Sequence, residues 1–391
     1  MVKSLKVTLL YLLTIICLLQ SVLSYGQIQV GCENLDEYLP LIKGKKVAII
    51  ANQTTLYSGS VHLVDKLVSL GVDIEYILSP EHGFRGDADA GEKVVDGRDS
   101  KTGIKVASLY GANKAPSEAI MKGCEVLIYD LQDVGVRYFT YISTMKHCME
   151  AAAKYNRHFI IFDRPNPNGF YTDGPVLESR HNSFVGEFPI PVVYGMTAGE
   201  LAKMAVGEGW ISGGESLKMS VIECKNYSRA DFYALPVKPS PNLPDMNSIY
   251  LYPSTCYFEA TDVSLGRGTS KPFKIFGHPD MKGYSFSFTP RSTEGAKYPP
   301  QQNKLCYGRD LSELSRSEIV EKGVNLEYII EAYNTLGKNP KFFNSFFEKL
   351  IGVSYVRQMI IEGKSAEQIR LRWSSDVELF KIKREPYLIY R

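Results

Sequence analysis

Four short apolar runs punctuate the first half of the chain: Lys46 to Ala51, Asp73 to Leu78, Glu125 to Tyr129 and His158 to Phe162. Continuous apolar runs of this length predict strands buried on both faces, where alternation would predict one wet face. Between the runs the spacing becomes helical. Val61, Val64 and Val68 lie beside Leu63, Leu67 and Leu70, with Ser60 placed to cap the helix and Gly71 to end it. Ile142, Met145, Met149 and Ala152 form a second stripe. Thr197 and Glu200 make a capping-box pattern that opens another helix after Val192 to Tyr194. Strand–helix alternation predicts an α/β fold, with a mainly parallel sheet covered on both faces.

The pattern changes after residue 235. Five prolines fall between Pro236 and Pro253, and they mark the expected boundary between domains 25–235 and 236–391. The second domain reads as smaller and α+β. Ser285 to Thr289 alternates like a strand, and amphipathic helices follow, the last opening at Ser365 with Gln368. A length of 391 residues fits two domains.

Residues 1–24 are expected to be a signal peptide. Lys3 and Lys6 precede an apolar run from Val7 to Leu19, and Val22 to Ser24 offers a cleavage triplet. The run is shorter than the roughly 20 residues that span a bilayer, which predicts cleavage rather than anchoring. Cys17 is a poor lipidation site, because no small residue stands just before it. The expectation is therefore an exported protein, periplasmic or secreted, without stable membrane insertion. Without that segment the chain carries 43 residues of each charge sign. No basic field exists to hold nucleic acid. The six remaining cysteines are scattered, with no zinc spacing. No metal is expected, and both disulfides and buried thiols stay open.

Familiar catalytic motifs are missing. The first strand–helix turn, from Ala51 through Asn52 to Thr55, has no glycine fingerprint for a dinucleotide. Ser143 and Lys146 match S-x-x-K, and Lys101 to Gly103 matches K-T-G, but in the reverse of the order used by penicillin-binding enzymes. The acidic stretch Asp87, Asp89, Glu92, Asp96 and Asp99 lacks calcium-loop spacing and reads as a solvated loop. The chemistry gathers instead where strands end, the side on which open parallel sheets bind ligands. Strand 73–78 runs into Glu81, His82 and Arg85. Strand 125–129 runs into Asp130, Gln132, Asp133 and Arg137, and strand 158–162 into Asp163, Arg164, Asn166 and Asn168. One carboxylic acid can protonate a leaving oxygen while another carboxylate assists attack. Arginines can clamp a substrate carboxylate, and amides can bind sugar hydroxyls. Asp130, Asp133 and Asp163 can equally serve as caps or scaffold ion pairs.

Several stretches carry a resemblance: SPEHGFRGDADAGE (Ser79–Glu92), DLQDVGVRYFTYISTM (Asp130–Met145), DRPNPNG (Asp163–Gly169), DGPVLE (Asp173–Glu178), FPIPVVYGMTAGELA (Phe188–Ala202), PSPNLP (Pro239–Pro244) and YPSTCYFEATDVSLGRGTSKPF (Tyr252–Phe273). From about residue 40 to the C-terminus the chain resembles the exo-β-N-acetylmuramidase family, NamZ. The resemblance implies a Rossmann-like domain with a smaller auxiliary domain and the active site between them. It implies a glycoside hydrolase, without cofactor, that releases N-acetylmuramic acid from the non-reducing end of peptidoglycan fragments. It places the catalytic acid/base at Glu81. Asp130, Asp133, Asp163 and, on the second domain, Glu259 beside Arg267 are candidates for a second catalytic group. Asn52, His82, Gln132, Asn166, Asn168 and Asn242 are candidate sugar contacts. Arg85, Arg137, Arg164 and Arg267 are candidate clamps for the lactyl carboxylate. Tyr194 stands before Gly195 where the resemblance leads one to expect a histidine. A non-catalytic muropeptide-binding protein is the competing reading, and a serine acyl-enzyme at Ser143 a weaker one.

Overall fold

The computed structural model describes residues 26–81, 83–85, 96–111 and 113–391. The expected leader, Cys17, His82 and the acidic residues Asp87, Asp89 and Glu92 lie outside them. In chain order the strands are β1 (Lys46–Ala51), β2 (Leu56–Tyr57), β3 (Val61–His62), β4 (Asp73–Ser79), β5 (Gly97–Arg98), β6 (Lys105–Ser108), β7 (Val126–Asp130), β8 (His158–Phe162) and β9 (Met219–Ile222). All but β2 and β3, which form a hairpin of their own, join one sheet in the order β5-β6-β4-β1-β7-β8-β9. Only β5 pairs antiparallel in it, at the edge. Counted along the chain, the parallel strands lie in the order 3-2-1-4-5-6, the doubly wound arrangement of dinucleotide-binding folds.

Burial explains which strands the hydrophobic pattern reveals. Every residue of β7 and β8 is buried, so their sequences run apolar without a break. Strands β6 and β9 are mostly half-buried, and their mixed sequences at Lys105–Ser108 and Met219–Ile222 escape that criterion. Helices Leu35–Ile42 and Leu63–Ser69 cover one face through Tyr38, Leu63, Val64 and Leu67. Helices Tyr141–Lys154 and Ala198–Gly207 cover the other through Met145, Met149, Leu201 and Met204. One boundary needs correction. Ser60 lies in the β2–β3 hairpin, and the helix starts at Leu63, capped by the His62 ring nitrogen accepting from the Val64 amide at 3.3 Å.

The second half builds a smaller antiparallel sheet, β10 (Ile275–His278), β11 (Phe286–Phe288) and β12 (Cys306–Asp310), in the order β10-β12-β11. The capping box at Ser365 opens the helix Ala366–Arg384, which buries Trp373, Val377 and Phe380. These join an apolar cluster that continues from beneath the central sheet. Pro253 sits inside the helix Met246–Thr255, where a missing N–H would leave the Ile249 carbonyl without its helical partner. The Asn168 amide approaches that carbonyl at 3.5 Å, and the Tyr138 hydroxyl donates to the Tyr252 and Pro253 carbonyls at 3.1 and 2.8 Å. All six described cysteines are free and buried, which closes the disulfide alternative for them. Burial pushes the Cys124 and Cys306 thiols up to about 11. No helix of the described residues is long and apolar enough to cross a membrane.

Candidate active site

Strand β4 delivers its chain to Ser79 and Pro80, and Glu81 stands in the turn beyond. The Gly83 amide closes that turn on the Pro80 carbonyl at 3.2 Å, and Gly83 takes φ +79, a left-handed conformation that costs glycine little. Glu81 therefore stands just beyond the C-terminal end of β4, where it lines a cleft of about 710 Å³. Thr140, at the N-cap of the helix Tyr141–Lys154, donates its hydroxyl to Glu81 Oε2 at 2.8 Å. A threonine there would ordinarily accept a first-turn amide, an interaction worth about 0.5–2 kcal/mol. Here it makes no capping bond, so local helix stability is given up to hold a carboxylate. Tyr110 follows β6, and its phenol lines the same cleft, close enough to feel the Glu81 charge. Burial first, then the neighbouring Glu81 and Glu259 charges, drive that phenol well above its ordinary range.

Further lining comes from the second half of the chain. Glu259, Arg267, Lys297 and Tyr298 line the same cleft as Glu81, Tyr110 and Phe184. Arg267 Nη2 donates to Glu259 Oε1 at 2.5 Å, and its guanidinium lies 5.1 Å from the Phe273 ring centre. Burial works against the charge on Arg267, but Glu259 beside it keeps the guanidinium above its usual range. The pair thus keeps a cation fixed in a mostly enclosed wall.

Most of the other residues singled out from the sequence are committed elsewhere, and none of those lines the cleft. Asp130 is fully buried and receives Arg164 Nε and Nη2 at 2.6 and 2.8 Å. Burial opposes the Arg164 charge, yet Asp130 holds the guanidinium protonated. Asp163 binds the Thr197 hydroxyl at 2.6 Å, the Gly199 amide at 2.9 Å and the Tyr390 hydroxyl at 2.8 Å, so it anchors the start of the helix Ala198–Gly207. Asp133 accepts from the Gly135 amide and from the Tyr194 hydroxyl. The position before Gly195 is therefore an internal partner of Asp133, not a sugar contact. Arg137 is fully buried and donates to four carbonyls, those of Pro175, Ile190, Leu350 and Ile351, at 2.7–3.0 Å. It ties the two halves together, and burial lowers it to about 10. Arg85 pairs with Asp99 at 2.8 Å.

The amides follow the same logic. Asn52 donates to the Tyr141 hydroxyl and accepts from Thr54, while Gln132 donates to the Asp133 and Pro165 carbonyls. Asn166 bonds Met196, Asn168 bonds Val134, and Asn242 bonds the Gly295 carbonyl at 2.7 Å. Between the ends of β1 and β7, where a doubly wound fold takes its dinucleotide, Asn52, Thr54, Thr55 and Gln132 bond one another and the Asp130 carbonyl. The site is displaced toward β4 and β6. Ser143 is fully buried, and Lys146 pairs with Glu187 at 3.2 Å, so the S-x-x-K match offers no accessible nucleophile. Of the residues singled out from the sequence, the cleft brings together Glu81, Glu259 and Arg267. Tyr110, Thr140, Lys297 and Tyr298 were missed. Tyr110 follows a strand of the same sheet, so the strand-end rule finds it once β6 is recognised. Lys297 and Tyr298 carry no local signal.

The buried carboxylates have a measurable consequence. Burial pushes Asp133 and Asp163 up to about 6 each, against roughly 3.9 for an aspartate in an unfolded chain. Between about pH 4 and 6 the folded protein binds protons that the unfolded chain releases, so stability from these groups falls as pH rises through that window. Asp133→Asn cannot ionise and is expected to flatten part of that decline. Melting temperatures across the window test this, and parallel curves for variant and wild type would refute it.

Comparison with known proteins agrees with this architecture. The family model for the N-terminal part of the exo-beta-N-acetylmuramidase NamZ matches residues 47–247, and that for its C-terminal part matches residues 250–390. The peptidoglycan beta-N-acetylmuramidase NamZ of Bacillus subtilis is 36% identical over 383 residues, covering 93% of this chain and 92% of that protein. Crystal structures of two DUF1343 family proteins from Bacteroides fragilis are similar throughout. One has a TM-score of 0.87 at 50% identity, covering 94% of this chain and 99% of its own. The other has 0.81 at 28% identity, covering 93% and 99%.

Proposed function

Because this chain belongs to the NamZ family of exo-β-N-acetylmuramidases, and is thus a glycoside hydrolase, we propose that it releases terminal N-acetylmuramic acid from the non-reducing end of peptidoglycan fragments, with Glu81 as general acid/base. One observation carries the reading: Glu81 lines the cleft between the two halves beside Tyr110, its carboxyl held by the Thr140 hydroxyl. Glu81 gives its proton to the glycosidic oxygen as the bond to C1 breaks. The substrate's own acetamido oxygen attacks C1 from the other face, as in substrate-assisted glycosidases. Ionised Glu81 then takes a proton from the water that opens the resulting ring, which restores the acid. No protein nucleophile is needed, and Glu259 is left to hold Arg267. Arg267 and Lys297 supply positive charge for the lactyl carboxylate. A guanidinium has five N–H donors, and the bond to Glu259 engages Nη2 only. Export through a leader at residues 1–24 would bring the enzyme to cell-wall fragments. Product analysis tests the proposal. A disaccharide with muramic acid at the non-reducing end should yield free N-acetylmuramic acid, and one ending in N-acetylglucosamine should yield nothing. Cleavage of both at similar rates would refute it.

A further inference from the structure

Tyr298 is 91% exposed, more than any other large apolar side chain among the described residues, yet it lines the cleft. A bare aromatic ring is unfavourable in water, and one that lines a cleft is ready to be covered by a ligand. Its loop is held firmly. Gly295 takes φ +88 and lies so close to Pro241 that an added Cβ would meet the proline Cβ at 2.7 Å. The Asn242 amide holds the Gly295 carbonyl at 2.7 Å, and Thr293 and Ala296 exchange backbone bonds of 3.1 and 3.0 Å. Pro299 and Pro300 then fix the backbone just beyond the tyrosine. The ring is displayed by a braced turn.

Exposure also grades the cleft from floor to mouth. The side chains of Arg267 and Glu259 are 19% and 25% exposed, whereas Tyr298 is almost bare. In a pocket that removes the terminal sugar of a chain, that sugar enters first and reaches the floor. The sugar across the scissile bond is left at the mouth. We propose that Tyr298 is the stacking platform for that second sugar, an N-acetylhexosamine whose apolar C–H face lies against the ring; this rests on the hydrolase reading above. The platform makes Tyr298 a specificity residue for substrates that continue beyond the bond to be cut.

Two substrates separate the roles: the muramic-acid-terminated disaccharide, and N-acetylmuramyl fluoride, which has no sugar beyond the reacting bond. In Tyr298→Ala the ratio of KM for the disaccharide to KM for the fluoride should rise about tenfold, the loss of one aromatic contact of roughly 1.4 kcal/mol. Tyr298→Phe keeps the ring and should restore the wild-type ratio. An unchanged ratio in the alanine variant, or a phenylalanine variant as impaired as alanine, would overturn the platform. If wild-type protein releases no muramic acid from the disaccharide, the hydrolase reading fails and the platform falls with it.

Discussion

Glu81→Gln should keep its fold and lose at least about two orders of magnitude in muramic acid release, the lower part of the range for removing a general acid. Glutamine has nearly the same shape, and its amide oxygen can still accept the Thr140 hydroxyl that now lies 2.8 Å from Glu81 Oε2. It has no acidic proton for the glycosidic oxygen and no carboxylate for the later water. The loss should fall mainly on kcat, because Arg267 and Lys297, the groups proposed to bind the sugar, are untouched. Product release measured beside a melting curve tests this. A variant that melts like the wild type and turns over at a comparable rate would remove Glu81 from the chemistry.

Asp130→Ala should fail in another way. Its carboxylate neutralises Arg164, and both side chains are at least 96% buried. Removing one partner leaves an uncompensated charge in the interior, at a cost of about 3–5 kcal/mol. Replacing both, as Asp130→Leu with Arg164→Met, removes the charge along with its partner and should recover much of that loss. Denaturant titration of the single and double variants reads the difference, and activity per folded molecule separates scaffold from catalyst. A stable Asp130→Ala protein with abolished turnover would return Asp130 to the reaction.

Local pattern made the central strands legible because burial on both faces writes itself into consecutive residues. Lys46–Ala51, Asp73–Ser79, Val126–Asp130 and His158–Phe162 are strands within a residue or two of expectation. The capping boxes at Thr197 and Ser365 are legible for a similar reason, since both partners sit within one turn. Strand β6, next to the edge, was not, since a half-buried strand carries a mixed sequence, and Tyr110 was lost with it. Glu81 was readable because Pro80 before it and Gly83 two residues on force a tight turn at a strand end, although that turn is half-buried rather than exposed.

Which charges face the cleft and which hold the fold was decided elsewhere. Asp130 meets Arg164 from 34 positions away, Asp163 meets Tyr390 from 227 and Arg137 meets Ile351 from 214. In sequence these residues look like active-site candidates, as Glu81 does. The chain by itself set the doubly wound sheet and the turn that bears the acid. Only the packed molecule could assign the remaining carboxylates and line the cleft with Glu259, Arg267, Lys297 and Tyr298. Strand and turn preferences act between neighbours, whereas the cost of burying a charge depends on whatever the rest of the fold brings against it.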